Sequence, residues 1–173
     1  SKRLGSLSIQ ELGKKGLEPI SIASLLGKIG TCDNVEIRAS LDELAAEFSF
    51  DKIGRAPARF YEEELMKLNA QRVLSLSYAD VSDTLDGIEA LKNCPDRELF
   101  WETVKENIST VSEAASWAGV LYGTISSDIE AEDKGYIQTA AETLPAGSYD
   151  LETWGKWTKE LKDATGRKGK GLF

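Results

Sequence analysis

Helix-start signals recur along this chain, and no apolar–polar alternation lasts long enough to compete with them. Ser8 with Glu11, and Ser40 with Glu43, stand three apart in the capping-box arrangement. In that arrangement a hydroxyl and a carboxylate satisfy the free amides of a first helical turn. Pro19 suits a first helical position, and Gly16 and Gly30 are placed to end short helices. The stretch from Tyr61 carries apolar residues at 61, 65, 68 and 73, close to one helical stripe, with Leu74 and Leu76 beyond. Ser77 with Asp80 starts another helix. Pro95 is expected in the first turn of a longer one holding Leu99, Phe100, Val104 and Ile108. Helices are also expected from Ser109 to Gly123, around 132–144 and from Asp150 to about Ala164. TCDNVEIRAS (31–40) reads as loop with a brief extended piece, and GRAPARF (54–60) as a connector, because Gly54 and Pro57 disfavour a continuous helix. The fold class this predicts is all-α: short to medium helices with short connections.

Composition excludes several chemistries. The chain has no His, which removes Ser-His-Asp and Cys-His nucleophile systems and histidine-rich zinc sites. Its two cysteines, Cys32 and Cys94, are too distant to suggest a metal pair, and no metal site is expected. They read as buried thiols in a reducing, cytoplasmic setting. No apolar run approaches the roughly 18 residues of a spanning helix, so a membrane is not an expected partner.

Charge is unevenly spread. The net charge is −8, yet from Asp80 to Glu152 acidic residues outnumber basic ones 16 to 4, while from Lys156 to Lys170 six basic residues face two acidic. The first sixty residues are nearly balanced, 9 basic to 8 acidic. Polyanions respond to such local fields and not to the sum.

Three short stretches, in register, carry a family resemblance. SKRLGSLSI at the start resembles the end of the KMSKR signature of class I aminoacyl-tRNA synthetases. RAPARFYEEELMKLN resembles a segment of bacterial glutamyl-tRNA synthetases with a small-Pro-Ala-x-Phe run and a Lys-Leu-x-x-Leu-Asn-like helix, here Ala58, Arg59, Phe60, Leu65, Lys67, Leu68 and Asn69. WTKELKDATGRKGKGLF is similar to the stretch that precedes that family's Pro-Leu-Arg-x-Ala-x-x-Gly motif. The resemblance runs the whole length and is closest to the proteobacterial type.

It implies a piece of a glutamate–tRNA ligase, beginning inside the loop that closes on ATP and stopping short of the last family motif. The Rossmann domain with its His-Ile-Gly-His signature would lie before Ser1, so the piece is expected to be inactive alone and to hold no cofactor. The parent would use ATP with Mg. Residues 1–48 would be the end of the KMSKR loop and a helical stem-contact segment; residues 49–173 would be a helical anticodon-binding domain, truncated at its C-terminus. Ser1, Lys2 and Arg3 would belong to the parent's ATP site, where a placed cation stabilises charge developing on the triphosphate.

The implied partner is tRNA(Glu), with tRNA(Gln) added if the third anticodon base is read loosely; DNA is not expected, and the chain is expected to be a monomer. Lys14, Lys15, Arg55, Arg59, Lys67 and Arg72 are candidate backbone contacts, and Asn69 a candidate reader of a base edge. Lys14 and Lys15 also favour a helix C-terminus without RNA, and Asn69 could instead satisfy a buried backbone group. Phe60 is expected to anchor the second domain's core, and Leu25, Leu26 and Ile29 to be core. Lys105 and Asn107 are candidates for anticodon reading, although no convincing Arg accompanies them. Among the tryptophans at 101, 117, 154 and 157, core packing is expected, with Trp157 the best stacking candidate. Arg167, Lys168 and Lys170 lie on a Gly-rich, helix-free stretch suited to phosphate. The rival reading is a synthetase-like helical protein-interaction or structural domain with no tRNA specificity.

Overall fold

The computed structural model describes residues 8–124 and 129–172. They form α1 (Ile9–Lys14), α2 (Pro19–Lys28), α3 (Leu41–Glu47), α4 (Glu62–Ser75), α5 (Tyr78–Asp86), α6 (Arg97–Val104), α7 (Ala114–Tyr122), α8 (Lys134–Thr143) and α9 (Thr153–Thr165), linked by loops and 3-10 turns. The all-α expectation holds: among the described residues the nearest thing to a strand pair is one isolated antiparallel bridge, Thr31 to Ile53. None of these helices is long and apolar enough to cross a membrane. The chain divides after residue 125 into two compact units. The boundary expected after residue 48 therefore falls inside the first.

The starts follow from the caps. Ser8 Oγ accepts from the Glu11 amide at 3.1 Å, and Glu11 accepts from the Ser8 amide at 2.8 Å. Ser40 caps α3 likewise, but Glu43 reaches one residue further back, to the Ala39 amide. Pro95 is not in a first turn. Asp96 is the cap of α6, its carboxylate accepting from the Leu99 amide at 2.9 Å, and Pro95 stands one residue outside. α9 begins three residues later than expected because the Asp150 carboxylate gathers the amides of Glu152 and Thr153 and the Thr153 hydroxyl into a turn.

Two apolar clusters fill the first unit. One joins Leu12, Leu17, Ile22, Leu25, Leu65 and Leu68; the other runs from Val73 and Leu76 through Phe100, Trp101 and Val104 to Ala114 and Ala118. α4 serves both, giving Leu65 and Leu68 to the first and Val73 to the second. Each fully buried aliphatic side chain contributes about 1.5–3 kcal/mol, so this helix is the strut of the unit. Leu26, Leu99 and Phe60, expected inside, are exposed. On α2 the buried stripe is Ser21, Ile22, Ser24, Leu25 and Lys28, which turns Leu26 outward. On α6 Trp101 takes the central place, its indole donating to the Leu76 carbonyl at 3.0 Å. Phe60 is 41 % exposed, two residues before α4, and belongs to neither apolar cluster. Cys32 is exposed and Cys94 half-buried, and both are free thiols, which corrects the expectation of buried ones.

In the second unit α8 and α9 are held together by Trp157, whose indole donates to the Ala140 carbonyl at 3.0 Å and to Thr143 Oγ1 at 3.2 Å. The tail expected to be helix-free forms a 3-10 turn, Gly169–Leu172, with Leu172 buried and its carbonyl accepting from the Tyr136 hydroxyl.

Candidate nucleic-acid interface

Two left-handed glycines end the first two helices, and the second of them holds the connector that carries Arg55 and Arg59. Gly16 ends α1 at φ 81°, and a Cβ there would meet Ser112 Oγ at 3.1 Å and Thr110 Cβ at 3.2 Å. Gly30 leaves α2 at φ 81°, with the Ala58 methyl 3.3 Å from where its own Cβ would be. Its carbonyl accepts from the Gly54 amide at 2.8 Å, and the Cys32 amide donates to the Lys52 carbonyl at 3.0 Å. The start and middle of the 54–60 connector are thus pinned to the exit of α2. Arg55 and Arg59 are exposed there, and among the described residues no ion pair engages either.

Where α1 ends beside α4, a cleft of about 680 Å³ is lined by Lys15, Glu62, Glu63, Met66, Lys67 and the 110–113 turn. Lys67 is exposed on its wall, whereas Lys15 is paired with Glu62. Lys14 is exposed at the last position of α1. Arg72, half-buried near the end of α4, places a guanidinium nitrogen 3.4 Å from Ser75 Oγ and keeps its Nε buried without a partner.

Asn69 is placed otherwise than a reader of bases. It is 0 % exposed. Its Oδ1 accepts from the Glu18 amide at 2.8 Å and its Nδ2 donates to the Ser109 carbonyl at 2.6 Å. The amide is spent on two backbone groups that would otherwise be unpaired, and it offers no edge to RNA.

Lys105 is half-buried and paired with Glu102 at 2.6 Å; Asn107 is exposed and donates weakly to the Thr103 carbonyl. In the second unit Trp157 has its ring nitrogen occupied, as described. Arg167 pairs with Asp133 at 2.7 Å and lies over the Tyr136 ring, 4.2 Å from its centroid. Lys168 is exposed just before the 3-10 turn and Lys170 is exposed within it. Ser1, Lys2 and Arg3 lie outside the described residues. Among the described residues no group of three or more His, Cys, Asp or Glu side chains could hold a metal ion.

One charged centre was missed by sequence reasoning. Lys28 is 5 % exposed and its ammonium lies 2.5 Å from Glu47 and 3.1 Å from Asp33. Arg38 Nε reaches Glu47 at 2.8 Å and Lys52 reaches Asp33 at 2.9 Å. Glu47, then Asp33, hold the Lys28 ammonium above its ordinary pKa. Lys52 and Lys28 hold Asp33 below its own, and Lys28 and Arg38 do the same to Glu47. The available signal was spacing: Lys28 continues the inward stripe of residues 21, 24 and 25. This network closes the loop 31–40 and α3 onto the end of α2, next to the connector.

No family model matches the chain. Over its full length it is 47 % identical to glutamate–tRNA ligase 2 of Hyphomonas neptunium and 40 % identical to glutamate–tRNA ligase 2 of Ruegeria sp. (strain TM1040). It is 42 % identical over its full length to glutamate–tRNA ligase 1 of Maricaulis maris. The chain spans 38–39 % of the length of these relatives. By sequence similarity that leaves no part of it unmatched, the chain belongs to the glutamate–tRNA ligase family.

Proposed function

We propose that this chain is the tRNA-holding part of a glutamate–tRNA ligase. The parent activates glutamate with ATP and Mg and transfers it to tRNA(Glu) in the cytoplasm. These residues grip the inner side and anticodon arm of the tRNA, and they are inactive in ligation by themselves. The observation that carries the reading is the full-length match to glutamate–tRNA ligases. Exposed cations on a pinned connector and on α4 support it: Arg55, Arg59 and Lys67 stand free of acidic partners among the described residues. Phosphates are met by such charges at little cost in broken ion pairs, whereas Lys15, Lys105 and Arg167 must first leave theirs. Lys14, Lys168 and Lys170 are secondary contacts on the same reasoning. On this reading one chain binds one tRNA as a monomer.

The test is titration of the chain with tRNA(Glu), its third-anticodon-base variant, tRNA(Gln) and an unrelated tRNA at two salt concentrations. Tighter, salt-sensitive binding of tRNA(Glu) supports the proposal. Equal weak binding to all four leaves only a basic surface, and no binding by a folded sample favours a protein-interaction domain.

A further inference from the structure

No side chain in residues 29–64 is buried, and the connector that carries Arg55 and Arg59 lies inside this stretch. Val35 and Ile37, both half-buried, are the residues of it that lean on an apolar cluster, and α3 adds no buried residue. A segment with so few apolar anchors is held only as firmly as its hydrogen bonds and ion pairs allow. Here these bonds converge on Lys28, which is the last buried residue before the stretch, as Leu65 is the first after it.

Lys28 bonds through both its backbone and its side chain. Its carbonyl accepts from the Thr31 amide at 3.0 Å and from the Thr31 hydroxyl at 2.7 Å. Its ammonium donates to Asp33 and to Glu47. The same Asp33 oxygen accepts from Lys52 at 2.9 Å, and Lys52 also donates to the Glu47 carbonyl at 3.0 Å. Thr31 pairs with Ile53, so Lys28, Asp33 and Lys52 brace that bridge from both of its strands. Gly54 follows, its amide fastened to the Gly30 carbonyl, and the exposed Arg55 comes next. A cation held in place before RNA arrives loses less freedom on binding than one on a loose segment. Removing one partner of a sheltered ion pair leaves the other charge uncompensated, so damage at Lys28 or Asp33 reaches the whole brace. We infer that Lys28, through Asp33 and Lys52, is a positioning residue for tRNA binding: it meets no RNA itself and sets where Arg55 stands. The inference rests on the tRNA-holding reading.

Asp33→Ala separates position from field. It deletes a negative charge, which through the field alone would tighten binding to phosphate, whereas lost position weakens it. The experiment measures tRNA(Glu) binding at one salt concentration by the native chain, Asp33→Ala, Lys28→Met, Arg55→Ala and the Asp33→Ala/Arg55→Ala double variant. Amide hydrogen exchange of each is followed by NMR. Asp33→Ala and Lys28→Met are expected to weaken binding several-fold, and in the Arg55→Ala background the Asp33→Ala loss should largely vanish. Exchange at the Gly54 and Cys32 amides should quicken several-fold in Asp33→Ala while the α4 amides keep their protection. Unchanged exchange at Gly54, tighter binding by Asp33→Ala, or an equal loss in both backgrounds overturns the inference. Faster exchange throughout α4 in Asp33→Ala also overturns it, because the network would then act on overall stability and not on position. A native chain that binds tRNA(Glu) no better than an unrelated tRNA fails the tRNA-holding reading itself, and the inference falls with it.

Discussion

Asn69 and Ser109, forty residues apart, are joined by a 2.6 Å hydrogen bond from the side-chain amide to the backbone carbonyl. With the Glu18 amide on its other end, Asn69 ties the start of α2 to α4 and to the turn before α7. It sits on α4 between the residues that serve the two apolar clusters.

Replacing Asn69 by Leu fills similar volume but strands a buried N–H and a buried carbonyl. The expected cost is about 2–6 kcal/mol, from roughly 1–3 kcal/mol for each of the two unsatisfied groups. Asn69→Asp keeps an acceptor for Glu18 yet sets a carboxylate against the Ser109 carbonyl, so it should be no better than Leu. Urea unfolding of both variants checks this. A loss below about 1 kcal/mol for Leu, the level of an ordinary exposed hydrogen bond, would mean the bridge is incidental.

Gly30→Ala forces an L side chain into the left-handed region and against the Ala58 methyl. Strain of about 1–2 kcal/mol is expected from the backbone alone. Gly13, inside α1 with nothing near its Cβ position, is the control and should gain about 0.5–1 kcal/mol on replacement by Ala. Equal effects at the two positions in thermal unfolding would remove the argument for a pinned connector.

The Lys28 network predicts the acid side of the stability curve. Asp33 and Glu47 have folded pKa values below their ordinary 3.8 and 4.5. Their contribution is complete above those values and is lost as pH falls through the lower folded ones. Lys28 is raised, so its contribution is complete below its ordinary 10.5 and is lost only as pH rises beyond that. The melting temperature of the native chain should therefore fall as pH drops below the ordinary values of 4.5 and 3.8. Lys28→Met should be less stable at pH 7 and show a shallower acid decline. Parallel melting profiles for the two proteins would contradict the network's role.

Trp101 is fully buried and donates to the Leu76 carbonyl. Trp101→Ala should cost about 3–5 kcal/mol, and Trp101→Phe should recover part of that while leaving the carbonyl unpaired. Equilibrium unfolding followed by circular dichroism measures both. A Phe variant as stable as the native chain would show that the hydrogen bond contributes nothing.

Much of this was legible in the sequence, because caps and periodicity act locally. Ser8–Glu11, Ser40–Glu43 and Pro19 set helix starts where they were read. Asp96 was overlooked beside Pro95 because both are helix-start residues and only the carboxylate's reach decides between them. What spacing could not give was the choice among apolar residues on a short helix. Trp101 over Leu99, and Leu25 over Leu26, were decided by which neighbouring element lies opposite. The site was less legible still. An asparagine next to an apolar stripe reads equally as a reader of bases or a buried clamp until Glu18 and Ser109 are seen around it. Lys28 drew no reading from the sequence, and it is Asp33 and Glu47, from a loop and a helix further on, that make it a buried centre. Arg55 and Arg59 are exposed on a connector that holds no carboxylate of its own, whereas Lys67 is exposed although Glu63 and Glu64 stand one turn before it on α4.

The central claim is tested most directly by the salt dependence of tRNA(Glu) binding in the native chain and in the Arg55→Ala/Arg59→Ala/Lys67→Ala variant. Each lost phosphate contact should reduce the slope of log K against log salt by roughly 1. A triple variant that folds normally, binds weakly and has a slope shallower by about 2–3 is the predicted result. An unchanged slope and affinity would contradict it, placing the tRNA-holding surface somewhere other than the connector and α4.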